Sequence, residues 1–385
     1  MIESIIRPAQ KGRPFLREAI TGKDELKFGD FTVTIPDNRN LKKVYIEITS
    51  KCNLNCKMCF RRFWKDKVLD MPKDKFLKIL DDLKAFPKLD TVYIGGIGEP
   101  LTHPNILEII ENVKSRGLRI ELGTNGTLLH ELSEDFVRLN VDRIIVSIDA
   151  PDSAVYRDIR GTDFASVESN VLFLQEVKKR EKSSKPNVAI EVVAMKSNVL
   201  LLPNILPLAS KLGINDILIS NLMPFSEELS KEIIYDGSID WKILVEVMNS
   251  QVGKYRVNIN FPKFELLTER MCKFIEKDST VIRADGEVAP CYRLLHSYTE
   301  YVFGREKQVN AYSFGNAFEK PIYEIWNGKE YKVFRYNVRN SPYPSCTDCL
   351  FKDTCDFAKT ANSDCFGNLP SCGDCLWARG VIQCP

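Results

Sequence analysis

Cys52, Cys56 and Cys59 fall together in the stretch KCNLNCKMCF (51–60), and three thiols is an awkward number. Disulfides consume thiols in pairs, and a closed tetrahedral zinc site takes four ligands. An iron–sulfur cluster takes one thiolate per iron. Three thiolates therefore leave one iron of a four-iron cluster with open coordination, where a small molecule can bind. The chain has 12 cysteines, and the other nine all lie C-terminal, at Cys272, Cys291, Cys346, Cys349, Cys355, Cys365, Cys372, Cys375 and Cys384. In a reducing cytosol so many thiols read as metal ligands rather than disulfides. Two complete four-thiol sets use eight of the nine and leave one over. The competing readings are a partial zinc site at the triplet and a zinc ribbon on Cys346, Cys349, Cys372 and Cys375, which would strand the remaining cysteines.

The elements that must carry these residues alternate. Apolar strand candidates run over 44–49, 91–96, 119–124, 143–149, 188–194 and 216–222, with helix-period segments at about 73–86, 104–116, 131–139, 164–181 and 203–212. Gly117 and Gly213 follow two of these helices, as C-terminal caps should. Six βα units in a row predict a parallel sheet covered by helices, an open partial (β/α)6 TIM-like barrel. The cysteine triplet follows the first strand, so it sits at the strands' carboxyl ends, where α/β barrels keep their active sites. Further strand-end motifs share that end: GGIGEP (95–100), GTNGTL (123–128) and SIDAP (147–151).

Of 385 residues 44% are hydrophobic and 28% charged, enough for a large core, and the net charge of +2 excludes a nucleic-acid binder held mainly by charge. No apolar run approaches the ~20 residues of a membrane span, and residues 1–20 hold no signal-peptide core, so a cytoplasmic protein is expected. Four regions are expected: an N-terminal appendage with a small β-hairpin (1–42), the partial barrel (43–235), a linker (236–271) and a cysteine-rich extension (272–385).

C-x3-C-x2-C after a first strand, with Phe60 behind it, resembles the radical S-adenosylmethionine (SAM) enzymes. The resemblance implies that the open iron binds the methionine moiety of SAM, and that an electron from the cluster cleaves SAM to a 5′-deoxyadenosyl radical. Met58 stands where the family usually has an aromatic residue, and its flexible thioether can pack against adenine. GGIGEP resembles the family's motif for the methionine amino group. Gly95 and Gly96 would allow close backbone approach, and Glu99 would accept from the ammonium. Thr124, Asn125, Ser147 and Asp149 would then meet ribose hydroxyls, although ordinary turn chemistry also explains them. Arg160, in YRDIRG, would meet the SAM carboxylate or pair with a barrel carboxylate.

The C-terminal spacing, Cys272-x13-Gly-x4-Cys291 and then Cys346-x2-Cys349-x5-Cys355, resembles the SPASM extension with its two auxiliary 4Fe-4S clusters. By that resemblance Cys272 and Cys291 belong to the nearer cluster with a later cysteine such as Cys365. Cys346, Cys349 and Cys355 belong to the farther one with a ligand from the last three. Tyr292 stands where relatives often have a carboxylate, and would donate a proton or hydrogen or else pack. The tail from Cys355 resembles radical SAM maturases associated with tungsten-containing aldehyde ferredoxin oxidoreductases. The implied partners are a low-potential, ferredoxin-like donor and a protein, peptide or cofactor target. The alternatives are a SPASM enzyme acting on a ribosomally made peptide, and a non-catalytic iron–sulfur electron carrier or zinc scaffold.

Overall fold

The computed structural model describes residues 22–28, 30–64 and 66–384. Of the N-terminal appendage, residues 1–21 lie outside the described residues. The hairpin forms from β1 (Lys23–Phe28) and β2 (Phe31–Pro36). Buried Lys332 pairs with both Asp24 and Asp37, tying the hairpin to the C-terminal region.

The six expected strands appear as β3 (Lys43–Ile46), β4 (Thr91–Ile94), β5 (Arg119–Thr124), β6 (Arg143–Ser147), β7 (Asn187–Ala194) and β8 (Asp216–Asn221), each parallel to the next. The sheet is larger than expected, with nine strands in the order β11-β10-β3-β4-β5-β6-β7-β8-β9. β9 (Asn258–Asn260) extends one edge, and helix Trp241–Tyr255 packs near it. The stretch 236–271 is therefore not a plain linker. At the other edge β10 (Ser279–Ile282) runs parallel to β3 and β11 (Val288–Ala289) turns back on β10. The cysteine-rich region thus contributes strands to the barrel sheet. These strands are two to four residues long, too short for periodicity to reveal.

The helices between β3 and β8 are α1 (Lys73–Asp82), α2 (Ile106–Ser115), α3 (Leu129–Arg138), α4 (Ser153–Arg160), α5 (Phe164–Arg180) and α6 (Ile205–Lys211). α2 shows why they stay. Ile106, Ile109, Ile110 and Val113 are all buried on one face, at ~1.5–3 kcal/mol each. α4 was not expected. The Asp152 carboxylate accepts from the Ala154 and Val155 N–H groups at 3.0 and 2.9 Å, and Gly161 closes the helix at φ +73°.

Successive strand residues face opposite ways. Val44 and Ile46, Val92 and Ile94, and Ile144 and Val146 join the core beneath the helices, whereas Tyr45, Tyr93, Ile145 and Ala189 form a separate cluster in the lumen. The lumen face also carries Glu121, Ser147 and Glu191, so it mixes polar with apolar residues. Among the described residues, no helix is long and apolar enough to cross a membrane.

Candidate active site

At the carboxyl ends of β3 to β7 lies a cavity of about 230 Å³. Cys52, Cys56 and Cys59 line it on one side, and Glu99, Thr124, Asn125, Ser147 and Arg160 on the other; Met58 and Gly96 also reach its wall. Burial raises the Cys52 thiol's pKa and pushes Cys59 up to about 11, against hydrogen bonding from nearby backbone N–H groups. The thiolate is the form that ligates a metal, and metal binding displaces the thiol protons. The donor set is all sulfur, with no fourth cysteine in the wall. It fits an iron–sulfur cluster with one open position.

Glu99 is the keystone of the opposite wall. It is 2% exposed. Its Oε1 accepts from the Leu101 N–H at 3.1 Å and the Thr124 hydroxyl at 2.8 Å, and its Oε2 from the Asn125 N–H at 2.7 Å. Burial nevertheless pushes its pKa up to about 7, against those donors and the more distant charge of Arg160. Glu99 thus binds the β4 and β5 loops to each other. The Glu99 N–H also reaches the Lys51 carbonyl at 2.7 Å. Gly98 makes this approach possible, since a Cβ there would lie 2.3 Å from the Thr49 oxygen and 2.5 Å from the Lys51 oxygen.

Other predicted residues stand differently. Gly95 is absent from the cavity wall; a Cβ there would lie 2.6 Å from the Tyr93 ring, so this glycine makes room for Tyr93. Asp149 is wholly buried and also off the wall. Its carboxylate is consumed by the Arg160 Nε–H at 2.5 Å and the Val193 N–H at 2.8 Å, so it positions Arg160 instead of meeting a ribose. Arg160 therefore pairs with a barrel carboxylate, yet it still faces the cavity and donates to the Cys56 sulfur at 3.8 Å. Burial works against its guanidinium, but the charge of Asp149, then that of Cys56, outweighs this and keeps it protonated. The Thr124 hydroxyl is spent on Glu99. Asn125 Nδ2 donates to Asn53 at 2.8 Å and reaches the Cys52 sulfur at 3.8 Å, which steadies the cysteine loop.

Three residues stand out among those of this site that went unnoticed in the sequence. Asn53 is one and Gly98 another. Glu191, in the wall, is the third; burial, partly opposed by Arg160, pushes it up to about 7. A single carboxylate in the otherwise apolar strand VAIEVVA was its signal. Tyr292 does not reach this cavity. It packs edge-on against Tyr45 and Phe274, and its buried hydroxyl has no partner among the described residues.

The nine C-terminal thiols sort by their neighbours. Burial raises Cys372, and the charges that add to it are those of Cys375, Cys291 and Cys272. Cys291 likewise is raised by burial and then by Cys272 and Cys375. Buried Arg293, paired with Glu300 at 2.6 Å, sets a cation beside this group. Cys346 belongs to other surroundings. Burial pushes it up to about 11, with Asp374 and Cys365 adding and Lys307 opposing. Cys365 is a charge neighbour of Cys346, whereas the expected pairing sets it with Cys272 and Cys291. Cys384 accepts at its sulfur from the Trp377 indole N–H at 3.1 Å, and its charged neighbours are Glu191, then Cys375 and Lys273.

Residues 46–195 match the Radical SAM superfamily, and residues 272–350 match SPASM, an iron–sulfur cluster-binding domain. A probable GTP 3′,8-cyclase of Methanocaldococcus jannaschii is 31% identical over 50% of this chain and 62% of its own length. SuiB of Streptococcus suis, solved with S-adenosylmethionine bound, has the same fold, with a TM-score of 0.60 at 18% identity over 82% of this chain and 72% of that one. The chain is a radical SAM enzyme with a C-terminal SPASM domain, and SAM and iron–sulfur clusters are its cofactors. Within that class it belongs to the family of the tungsten-containing aldehyde ferredoxin oxidoreductase cofactor-modifying protein of Pyrococcus furiosus, to which it is 46% identical over 90% of this chain and 97% of that protein.

Proposed function

We propose that this enzyme matures a tungsten-containing aldehyde ferredoxin oxidoreductase by modifying its cofactor or a segment of its polypeptide. The observation that carries this reading is the similarity to the P. furiosus protein over 90% of this chain and 97% of that one. When bound, the cluster at Cys52, Cys56 and Cys59 supplies the electron that cleaves SAM and generates the 5′-deoxyadenosyl radical. The chain's own residues then have defined tasks. Glu99 receives the methionine ammonium, Arg160 offers its remaining N–H groups to the methionine carboxylate, Ser147 faces the ribose, and Met58 packs on the adenine.

Three 4Fe-4S clusters are the count that best accounts for the thiols. Cys272, Cys291, Cys372 and Cys375 would hold the nearer auxiliary cluster, with Cys346, Cys349, Cys355 and Cys365 holding the farther one. Cys384 is then the thiol left over. Cys365 is exposed, and so are Phe366, which follows it, and Leu350 and Phe351, which follow Cys349. That supports a ferredoxin-like donor docking at the outer cluster. We read the barrel as extending to about residue 260, with the SPASM domain from Cys272 lending it β10 and β11.

Coexpression with a tungsten oxidoreductase, followed by mass analysis of its cofactor and peptides, tests this reading. A mass change that requires the intact cysteine triplet is expected. Unchanged masses from cells in which SAM is being cleaved would refute it.

A further inference from the structure

A second cavity, of about 390 Å³, opens at the amino ends of the strands. Its wall continues the wall of the SAM cavity along the same inward faces. On β5 Glu121 lines the lower cavity and Gly123 the upper; on β6 Ile145 and Ser147 stand in the same relation, and on β7 Ala189 and Glu191. Residues two apart on a strand are ~7 Å apart, so the lower cavity lies one layer beneath the SAM site. Cys384 lines it and has Glu191 of the upper wall as a charged neighbour.

Among the described residues the charges around this mouth do not balance. Four cations line it, Lys43, Arg143, Lys273 and Lys277, against two carboxylates, Glu121 and Asp216. Both carboxylates are already taken, Glu121 by Lys43 at 2.7 Å and Asp216 by Arg143 at 3.5 Å. Lys273 donates to the neutral Gln383 amide at 2.7 Å. Among the described residues neither Lys273 nor Lys277 has a carboxylate partner. The lysines also repel one another. Burial lowers the Lys43 pKa, and after Glu121 has opposed that shift Lys277 and Arg143 lower it further. Two unmatched ammonium groups at the rim of a small-molecule-sized cavity ask for an anion. A pair of lysines, acting as compact point charges without a guanidinium fork, suits a phosphate group.

We propose that the amino-end mouth of the barrel is an anchoring site for a phosphate-bearing part of the target, held by Lys273 and Lys277. This rests on the reading of the enzyme as one that modifies a bound target, but the test needs no target. Inorganic pyrophosphate and citrate are titrated calorimetrically into the iron-loaded full-length enzyme at low salt. Saturable pyrophosphate binding, tighter than citrate, is expected. Loss of both rim charges in Lys273→Met/Lys277→Met should weaken it by about tenfold or more, the scale of a charge-assisted hydrogen bond. Lys73→Met, at the start of α1 and paired with Glu108 away from the cavity wall, should leave it unchanged. Because Lys273 adjoins Cys272, iron is measured in each variant, and Lys277→Glu serves alone if the double variant loses iron. No saturable binding, tighter binding of citrate, or equal affinity in the rim variants would overturn the assignment. Because pyrophosphate binding is read without the oxidoreductase, its failure leaves the coexpression result standing, and the reverse holds too.

Discussion

Replacing Glu99 by Gln should change how SAM binding depends on pH more than it changes stability. The folded carboxyl titrates at about 7 against an ordinary 4.5. Below pH 4.5 both folded and unfolded chains hold the proton. Between 4.5 and 7 only the folded chain holds it, so unfolding free energy falls as pH rises through that window. The total is ~3 kcal/mol, at ~1.4 kcal/mol per unit. Above pH 7 that is the cost of a buried charge, and Glu99→Gln removes it. The same substitution has an opposing cost. One Gln oxygen can keep the bonds from Leu101 and Thr124, but its NH₂ then faces the Asn125 N–H, and a buried unpaired donor costs ~1–3 kcal/mol. The two effects nearly cancel, so melting temperature is a poor readout. SAM affinity is a good one. An ammonium beside Glu99 favours the carboxylate, so binding below pH 7 must expel its proton. Affinity should fall by about tenfold per pH unit between 7 and 5.5. In Glu99→Gln it should be weaker at pH 7.5, by roughly tenfold or more, and flat across that range. Equilibrium dialysis of labelled SAM under anaerobic conditions, at several pH values, measures both. A flat wild-type profile, or equal affinities at pH 7.5, would refute the argument that Glu99 meets the ammonium.

Changing Cys52, Cys56 and Cys59 together to Ala should abolish SAM cleavage and lower iron by about four per chain, leaving the auxiliary absorbance; persistent cleavage would show that the triplet is not the site. Among the tail cysteines, Cys375→Ser should lose a cluster's iron because its charge neighbours are Cys272, Cys291 and Cys372, while Cys384→Ser should keep full iron, and the reverse pattern would overturn the grouping. Gly98→Ala should push apart the 95–100 and 49–52 loops, since the added carbon meets two backbone oxygens, and should cost both stability and SAM affinity; a variant with wild-type melting and binding would contradict the close approach. Asp149→Asn should leave Arg160 buried without its counter-charge, and breaking one side of such a pair typically costs ~3–5 kcal/mol, readable by chemical denaturation.

The spacing of three cysteines behind an apolar strand and the order of the strand-end motifs were legible without coordinates. Both are local: a strand's carboxyl end is set by its own periodicity, and every βα unit delivers that end to the same side of the sheet. The class of chemistry and the barrel therefore follow from the chain alone. What each polar side chain does there is settled by partners far away in sequence. Asp149 and Ser147 read alike as strand-end polar residues, yet one is consumed by Arg160 on α4 and the other faces the cavity. Gly95 and Gly98 read alike in GGIGEP, yet one clears space for the Tyr93 ring and the other seats the loop on the Thr49 and Lys51 carbonyls. The sorting of the nine thiols is the same case. C-x2-C spacing says that two sulfurs are near each other, but which pairs meet depends on the path of irregular loops whose ordering comes from the contacts themselves. The unmatched lysines at the barrel mouth belong to this second class too. Lys273 opens a short helix after Cys272 and Lys277 follows its end, and only the return of β10 to the edge of β3 brings their charges to the end of the lumen, where no carboxylate among the described residues remains free to answer them.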